Sequence, residues 1–365
     1  MIYPKNHLLN IASYQLPAGA RKSRIRLDLN ENLMCCSPKV MEALKNINPE
    51  EIAMYPESGV LIERLTTQNN LLPENVMVTN GGDDAIRCIL DTYVDSQERA
   101  IIPTPTYPMF KMLLQQRNAR VIEVLYDQDF SFPAKNFLSA IGKGVRMAII
   151  VNPNNPTGGS IQKEDLMRIL ERAQESEVIV LLDETYCHYA SKTYIELVKE
   201  FDNLIVMQTF SKAFGLTGLR MGYVISSKFN IEQLHKINLP FPVNAIAINA
   251  ALAALEDNNF IKTVISEVQK EKQFLCEELR KLNIEAIMTD INFLIVPFGE
   301  NCDLVHQLLA QRGILVKNLN AIPLMQGYLR ISIGTRKEHL LLLKALEKII
   351  NDLQKGTKEQ RHKGT

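Results

Sequence analysis

The chain has 365 residues, of which 46% are hydrophobic and 22% charged; these are globular values and exclude disorder over most of the length. The length suits two domains of unequal size rather than a single core. Lys plus Arg (41) balance Asp plus Glu (41), which excludes a broad basic nucleic-acid surface but leaves room for a local anion pocket. No apolar run reaches the roughly 18 residues that span a bilayer, and residues 1–10 contain no apolar signal core. The six cysteines (Cys35, Cys36, Cys88, Cys187, Cys276, Cys302) are too sparse for a disulfide scaffold, and neither C-x-x-C nor H-E-x-x-H occurs. The expectation is a cytoplasmic protein without a metal, a membrane or a nucleic acid as partner. The adjacent pair Cys35-Cys36 is read as two free thiols, because a vicinal disulfide is strained.

In chain order, Val76–Thr79 reads as a strand and Asp83–Tyr93 as a helix. Ala100–Ile102 is a strand, Tyr107–Gln116 a helix and Val121–Leu125 a strand. Met147–Val151 is a strand followed by the helix Lys163–Ser176, and Val178–Leu182 and Leu204–Gln208 are continuous apolar runs suited to strands buried on both faces. Strands alternating with helices predict an α/β domain with a mostly parallel sheet over residues 46–257. Beyond it, helices Phe260–Leu282, Leu304–Gln311 and Lys337–Leu353 alternate with strands Ile284–Met288, Phe293–Val296 and Leu329–Ile333. This predicts a smaller α+β domain from residues 1–45 and 258–354, with residues 355–365 as a disordered tail.

Several strand ends carry residues with chemical potential. Gly142-x-Gly144 lacks the final glycine of a dinucleotide fingerprint, and no P-loop or G-x-S-x-G elbow occurs. Asn80-Gly81-Gly82-Asp83 follows a strand and opens a helix, so it reads either as a phosphate cup or as a plain turn with Asp83 as the cap. Asn152-Pro-Asn-Asn-Pro-Thr-Gly158 is a rigid double turn that places the Asn154 and Asn155 amides at a sheet end. Asp183 ends a buried run, where it either meets a cationic ligand atom or caps the next turn, with Tyr186 three residues on. Ser211-Lys212 follows another buried run, and Arg220 comes eight residues later. Lys212 reads either as a point charge for phosphate or as a nucleophile toward a carbonyl. His188 reads as a packing or surface histidine. One ligand satisfies all of these groups together, having a phosphate, a basic ring nitrogen, a phenolic oxygen and an aldehyde. It is pyridoxal 5′-phosphate (PLP).

These motifs, with Leu29-Asn-Glu-Asn32, Tyr55-Pro56, Pro105-Thr-Tyr107, Asp183-Glu-x-Tyr186, Ser211-Lys-Ala-Phe-Gly-Leu-x-Gly-Leu-Arg220 and Leu329-Arg-Ile-Ser-Ile-Gly334, resemble the fold-type I, aspartate-aminotransferase-like enzymes. Within them they resemble the histidinol-phosphate aminotransferase family. The resemblance covers about residues 27–353. It implies a large domain with a seven-stranded, mostly parallel sheet and a smaller α+β domain. It implies that Lys212 bonds to the PLP aldehyde and carries the proton, that Asp183 keeps the ring nitrogen protonated, and that Asn155 and Tyr186 hold the ring oxygen. Tyr107 would stack on the ring, and Gly82, Asp83, Ser211 and Arg220 would bind the phosphate. Tyr55 would reach the phosphate of a partner subunit, which implies a homodimer.

For the substrate, the resemblance implies Arg330 on the anion, Tyr14 and Asn32 in the N-terminal arm, and Lys317 where the family usually has arginine. Cys35-Cys36-Ser37-Pro38 replaces a usual Gly-Pro-Ser-Pro, and Gly82 stands where serine is common. The activity implied is transamination between L-histidinol phosphate and 2-oxoglutarate in histidine biosynthesis. Alternatives on the same scaffold are an aminotransferase for aromatic amino acids and a threonine-phosphate decarboxylase. A non-enzymatic binding module is disfavoured by the presence of Lys212 and the lack of a basic appendage.

Overall fold

The computed structural model describes residues 3–14, 21–190 and 192–363. They fall into two compact units, one of residues 3–14 and 35–262 and one of residues 21–34 and 263–363. The strands are β1 (Ile25–Leu27), β2 (Val76–Thr79), β3 (Arg99–Thr104), β4 (Arg120–Leu125), β5 (Val145–Val151), β6 (Ile179–Asp183), β7 (Leu204–Thr209), β8 (Gly222–Ser226), β9 (Phe293–Pro297), β10 (Ile314–Asn318) and β11 (Tyr328–Ser332).

The larger unit holds a seven-stranded sheet in the order β2-β8-β7-β6-β5-β3-β4. Pairing is parallel from β4 through β3, β5 and β6 to β7, while β8 is antiparallel to both β7 and β2. Every residue of β2, β7 and β8 is buried, which is why their sequences run apolar without alternation. Helix Gly82–Tyr93 packs its Ala85, Ile86 and Ile89 into this core. The parallel arrangement brings the carboxyl ends of β5, β6 and β7 side by side, with Val151 opposite Asp183 and Asp183 opposite Met207. Ligands of open α/β sheets bind at such ends.

β8 is absent from the sequence expectations. Gly215, Gly218 and Gly222 mask its start, and the chain turns back to pair Gly222 with Thr209. That closure is tight. A Cβ added at Gly222 would lie 2.8 Å from the Gly81 carbonyl carbon and 3.1 Å from its Cα. Both are backbone atoms and cannot swing aside. Gly222→Ala should therefore destabilise the protein by about 1–3 kcal/mol, read as a lower Tm. An unchanged Tm would show that the turn has slack.

The smaller unit holds a four-stranded sheet, β1-β10-β11-β9, with β1 parallel to β10 and the other pairs antiparallel. Helix Arg336–Lys363 carries Arg336 and His339, which both bond Glu271. Three expectations need correction. Residues 355–363 continue that helix rather than forming a disordered tail. Ile284–Met288 is no strand: it makes one bridge, Ile287 to Ile295, and Met288 is exposed. The domain edges also differ, because residues 3–14, 35–45 and 258–262 lie in the larger unit. Helix Pro38–Lys45 packs on helix Ala245–Leu255, and Ser37 bonds Asp257. At the N-terminus, the ring Nε2 of His7 meets the carbonyl of Gln116 at 3.0 Å.

Candidate active site

The turn after β2 forms a cup. Gly81 has φ +83°, and a side chain there would strike the Arg220 guanidinium at 2.8 Å. The turn needs glycine for its conformation, and any side chain there would also displace that guanidinium. The backbone N–H groups at the start of helix Gly82–Tyr93 have no side-chain cap from Gly81, and such a helix start favours negative charge. Of the two readings of Asp83, the cap is wrong. Neither aspartate caps the helix: Asp84 turns back to the residue before the turn, accepting from Asn80 N at 3.0 Å. Asp83 instead accepts from Tyr107 Oη at 2.9 Å and from Arg220 at 3.3 Å. The departure at Gly82 has a neighbour too, since a Cβ there would touch the Met207 methyl at 3.0 Å.

Asp183 closes β6 and is 3% exposed. Its Oδ1 accepts from Thr185 N at 2.8 Å. Burial raises its carboxyl to about 6, against the Thr185 hydrogen bonds and the Lys212 charge. Tyr186 is buried, and the Lys212 ammonium lies 5.6 Å over its ring. In the double turn, Asn154 is engaged internally: its amide donates to Pro105 O at 2.9 Å and to Thr157 Oγ1 at 2.8 Å, and its carbonyl accepts from Thr106. Of the two amides only Asn155 is partly exposed. Ser211 is buried beside Lys212 at the end of β7. His188 is the packing histidine expected. Its ring lies 4.9 Å from Phe214, and burial holds it down to about 4.

Asp83 thus touches both Tyr107 and Arg220, and Lys212 contacts Tyr186 and acts electrostatically on Asp183. Tyr14, 40% exposed, stands within electrostatic reach of Tyr107. Tyr55 stands apart: it is 77% exposed and stacks on Phe241 at 4.3 Å. In the smaller unit Asn32 accepts from Met34 N at 3.0 Å. Lys317 and Arg330 are direct partners across β10 and β11, an arrangement of like charges that disfavours a sheet unless an anion answers it. Arg330 donates to Asp28 O at 2.6 Å and lies over the Phe293 ring. Burial, then Arg330, lowers the Lys317 ammonium from its ordinary value.

Glu184 escaped the sequence reading. It is fully buried, accepts from Thr193, Tyr194 N and Gln208, and burial raises it to about 7. Nothing in an Asp-Glu pair says which carboxylate faces the site. Among the described residues no cluster of three or more His, Cys, Asp or Glu could hold a metal ion, and no helix is long and apolar enough to cross a membrane.

Residues 22–346 match the family of class I and II aminotransferases. The chain belongs to that family. This aminotransferase is 31% identical over 333 residues to the histidinol-phosphate aminotransferase of Caldanaerobacter subterraneus subsp. tengcongensis, over 90% of this chain and 93% of that one. Its fold matches the histidinol-phosphate aminotransferase from Sinorhizobium meliloti solved with pyridoxal-5′-phosphate, with TM-score 0.83 and 25% identity, over 90% of this chain and 91% of the other. It also matches the L-threonine-O-3-phosphate decarboxylase from Porphyromonas gingivalis, with TM-score 0.77 and 22% identity, over 89% and 100% of the two chains. The fold is therefore common to amino transfer and decarboxylation, and the choice between them rests on the site.

Proposed function

We propose that this aminotransferase binds PLP and moves the amino group of L-histidinol phosphate to 2-oxoglutarate, giving imidazole-acetol phosphate and L-glutamate, in histidine biosynthesis. The residues fit the cofactor. Asp183 is a carboxylate buried where only a cationic partner makes its charge favourable. The Gly81 turn is a cradle that a side chain would fill. When bound, PLP supplies a carbonyl for the amino group and a ring that draws electrons from the substrate carbon. Asp183 would hold the proton on the ring nitrogen, and Asn155 and Tyr186 would hold the ring oxygen. Tyr107, fixed by Asp83, would cover the ring face. Backbone N–H groups of Gly82 and Asp83, with Ser211 and Arg220, would take the phosphate. Lys212 would bond the cofactor carbonyl at rest and move the substrate proton through its Nζ.

The substrate assignment rests on one observation, the Lys317 and Arg330 pair at opposed register positions. Two cations suit a dianionic phosphate better than one carboxylate. Histidinol phosphate has a phosphate and no carboxylate. Asn32, in the same unit as that pair, would close over it. Ile52, Met54, Tyr55, Leu239 and Phe241 are all more than half exposed, an apolar face that a second copy of the chain would cover, with Tyr55 reaching the partner's phosphate.

Arg330→Ala should lower kcat/KM for L-histidinol phosphate by about 2–4 kcal/mol, because the charge-assisted pair loses a partner. Lys317→Arg should be tolerated or improve KM, since the fork adds a second hydrogen bond. A panel of amino donors against 2-oxoglutarate, with glutamate measured, tests the whole reading. Equal efficiency on phenylalanine would favour the aromatic alternative, and carbon dioxide released from threonine phosphate would favour the decarboxylase.

A further inference from the structure

Ser211, Lys212 and Arg220 all lie between β7 and β8. Thr209 and Gly222 pair at the base of this loop. Backbone bonds shape the loop: Phe210 N donates to Met221 O, Leu216 N to Phe210 O and Gly215 N to Lys212 O, each at 3.0 Å. Ser211 N has no backbone partner among these. It donates at 3.1 Å to the hydroxyl oxygen of Thr209, which is itself 5% exposed. The same oxygen lies 3.0 Å from Met221 O and 3.0 Å from Ser211 Oγ.

The proton count then decides the directions. A carbonyl only accepts, so the single Thr209 hydroxyl proton goes to Met221 O. The Ser211 hydroxyl proton therefore points back at Thr209. One oxygen ties residue 211 to residue 221, the immediate neighbours of Lys212 and Arg220. A second hydroxyl works further out on the loop. Thr217 Oγ1 donates to Ser211 O, and Thr217 O accepts from Arg220 at 3.2 Å. Thr217 thus joins Ser211 to Arg220, whose backbone is held at φ +55°, a conformation that persists only when its surroundings enforce it.

We propose that Thr209 and Thr217 are positioning residues that set the Lys212 loop for the cofactor phosphate before it arrives. Neither touches the reacting atoms. The proposal rests on reading Ser211 and Arg220 as phosphate ligands. When a dianion enters, Ser211 turns its proton outward. Thr209 still receives Ser211 N and still donates to Met221 O, so the turn of one hydroxyl leaves no buried group orphaned. A loop already in place loses little freedom on binding, which raises affinity without a new contact.

The test uses full-length wild type and the variants Thr209→Val, Thr209→Ser, Thr217→Val and Thr217→Ser, stripped of cofactor. PLP is titrated by absorbance and inorganic phosphate by ³¹P NMR, and the visible band of the PLP-loaded protein is followed against pH. Each valine variant should lose on the order of tenfold in affinity for both probes, the scale of one lost hydrogen bond, and shift the midpoint of the band's pH titration. Each serine variant keeps the hydroxyl and should return to near wild-type values. Valine variants that bind both probes like wild type overturn the proposal. Equal losses in the serine variants also overturn it, since the hydroxyl is then not the agent. If Thr209→Val does not fold, the Thr217 pair decides by the same criteria. Wild type that takes up neither probe removes the cofactor reading itself, and this proposal with it.

Discussion

Lys212→Ala should abolish amino transfer and leave the fold intact. The side chain is half-buried in the loop just after β7, over the Tyr186 ring and within electrostatic reach of Asp183. Alanine keeps the Gly215 N to Lys212 O bond, because that bond is backbone, and it adds no bulk, so Tm should change little. What is lost is the only amine the reading places at the reacting carbon. A general acid–base role alone is worth roughly 10²–10⁴ in rate, and on the proposed function the same residue would also anchor the cofactor, so the loss should reach the upper end or beyond. Borohydride treatment of the PLP-loaded wild type should leave label on the peptide containing Lys212, and the variant should carry none. Label on another lysine would move the active site elsewhere.

How much of this was legible follows from where each signal lives. The strand ends at Asp183 and Lys212 were readable because a polar residue closing a buried apolar run breaks a pattern that burial enforces. The partners of Asp83 were not. A glycine turn followed by Asp83 permits that residue to cap the helix or to face a ligand, and only the fold shows Asp84 turned back to Asn80 and Asp83 turned toward Tyr107 and Arg220. Asn154 and Asn155 looked equivalent for the same reason, since a double turn in sequence does not say which amide it uses to hold itself together.

Register was the larger gap. β1, β8 and β10 are three to five residues long and lie beside glycines or charges, so their apolar content alone does not mark them. Yet β10 sets Lys317 opposite Arg330. The sequence shows two cations in one domain, and the pairing that makes them one feature belongs to the sheet. Ile284–Met288 erred in the other direction. Its apolar residues satisfy the strand pattern, but Met288 is exposed and pairing stops at the one bridge from Ile287 to Ile295.

Asp183→Asn should cost the enzyme its turnover while making the cofactor-free protein more stable. Burial lifts the Asp183 carboxyl from 3.8 to about 6. Between those values the folded protein holds a proton that the unfolded chain has released, so the contribution to stability is complete below pH 3.8 and lost as pH rises through about 6. At pH 8 the cofactor-free protein carries a buried negative charge that disfavours folding by about 3 kcal/mol, since each pH unit between the two values corresponds to about 1.4 kcal/mol. Asparagine carries no charge and can still accept from Thr185 N. The stripped variant should therefore melt above stripped wild type at pH 8, and the gap should narrow as pH falls toward 5. Glu184 moves in the same direction, but it is present in both proteins and drops out of the difference. With PLP loaded the order of merit reverses. An amide cannot hold a proton on the ring nitrogen, so amino transfer should fall by at least ~10². Comparing melting of the stripped pair at two pH values with turnover of the loaded pair separates a carboxylate kept for chemistry from one kept for structure. If the variant melts below wild type at pH 8 and turns over normally, Asp183 is a structural cap.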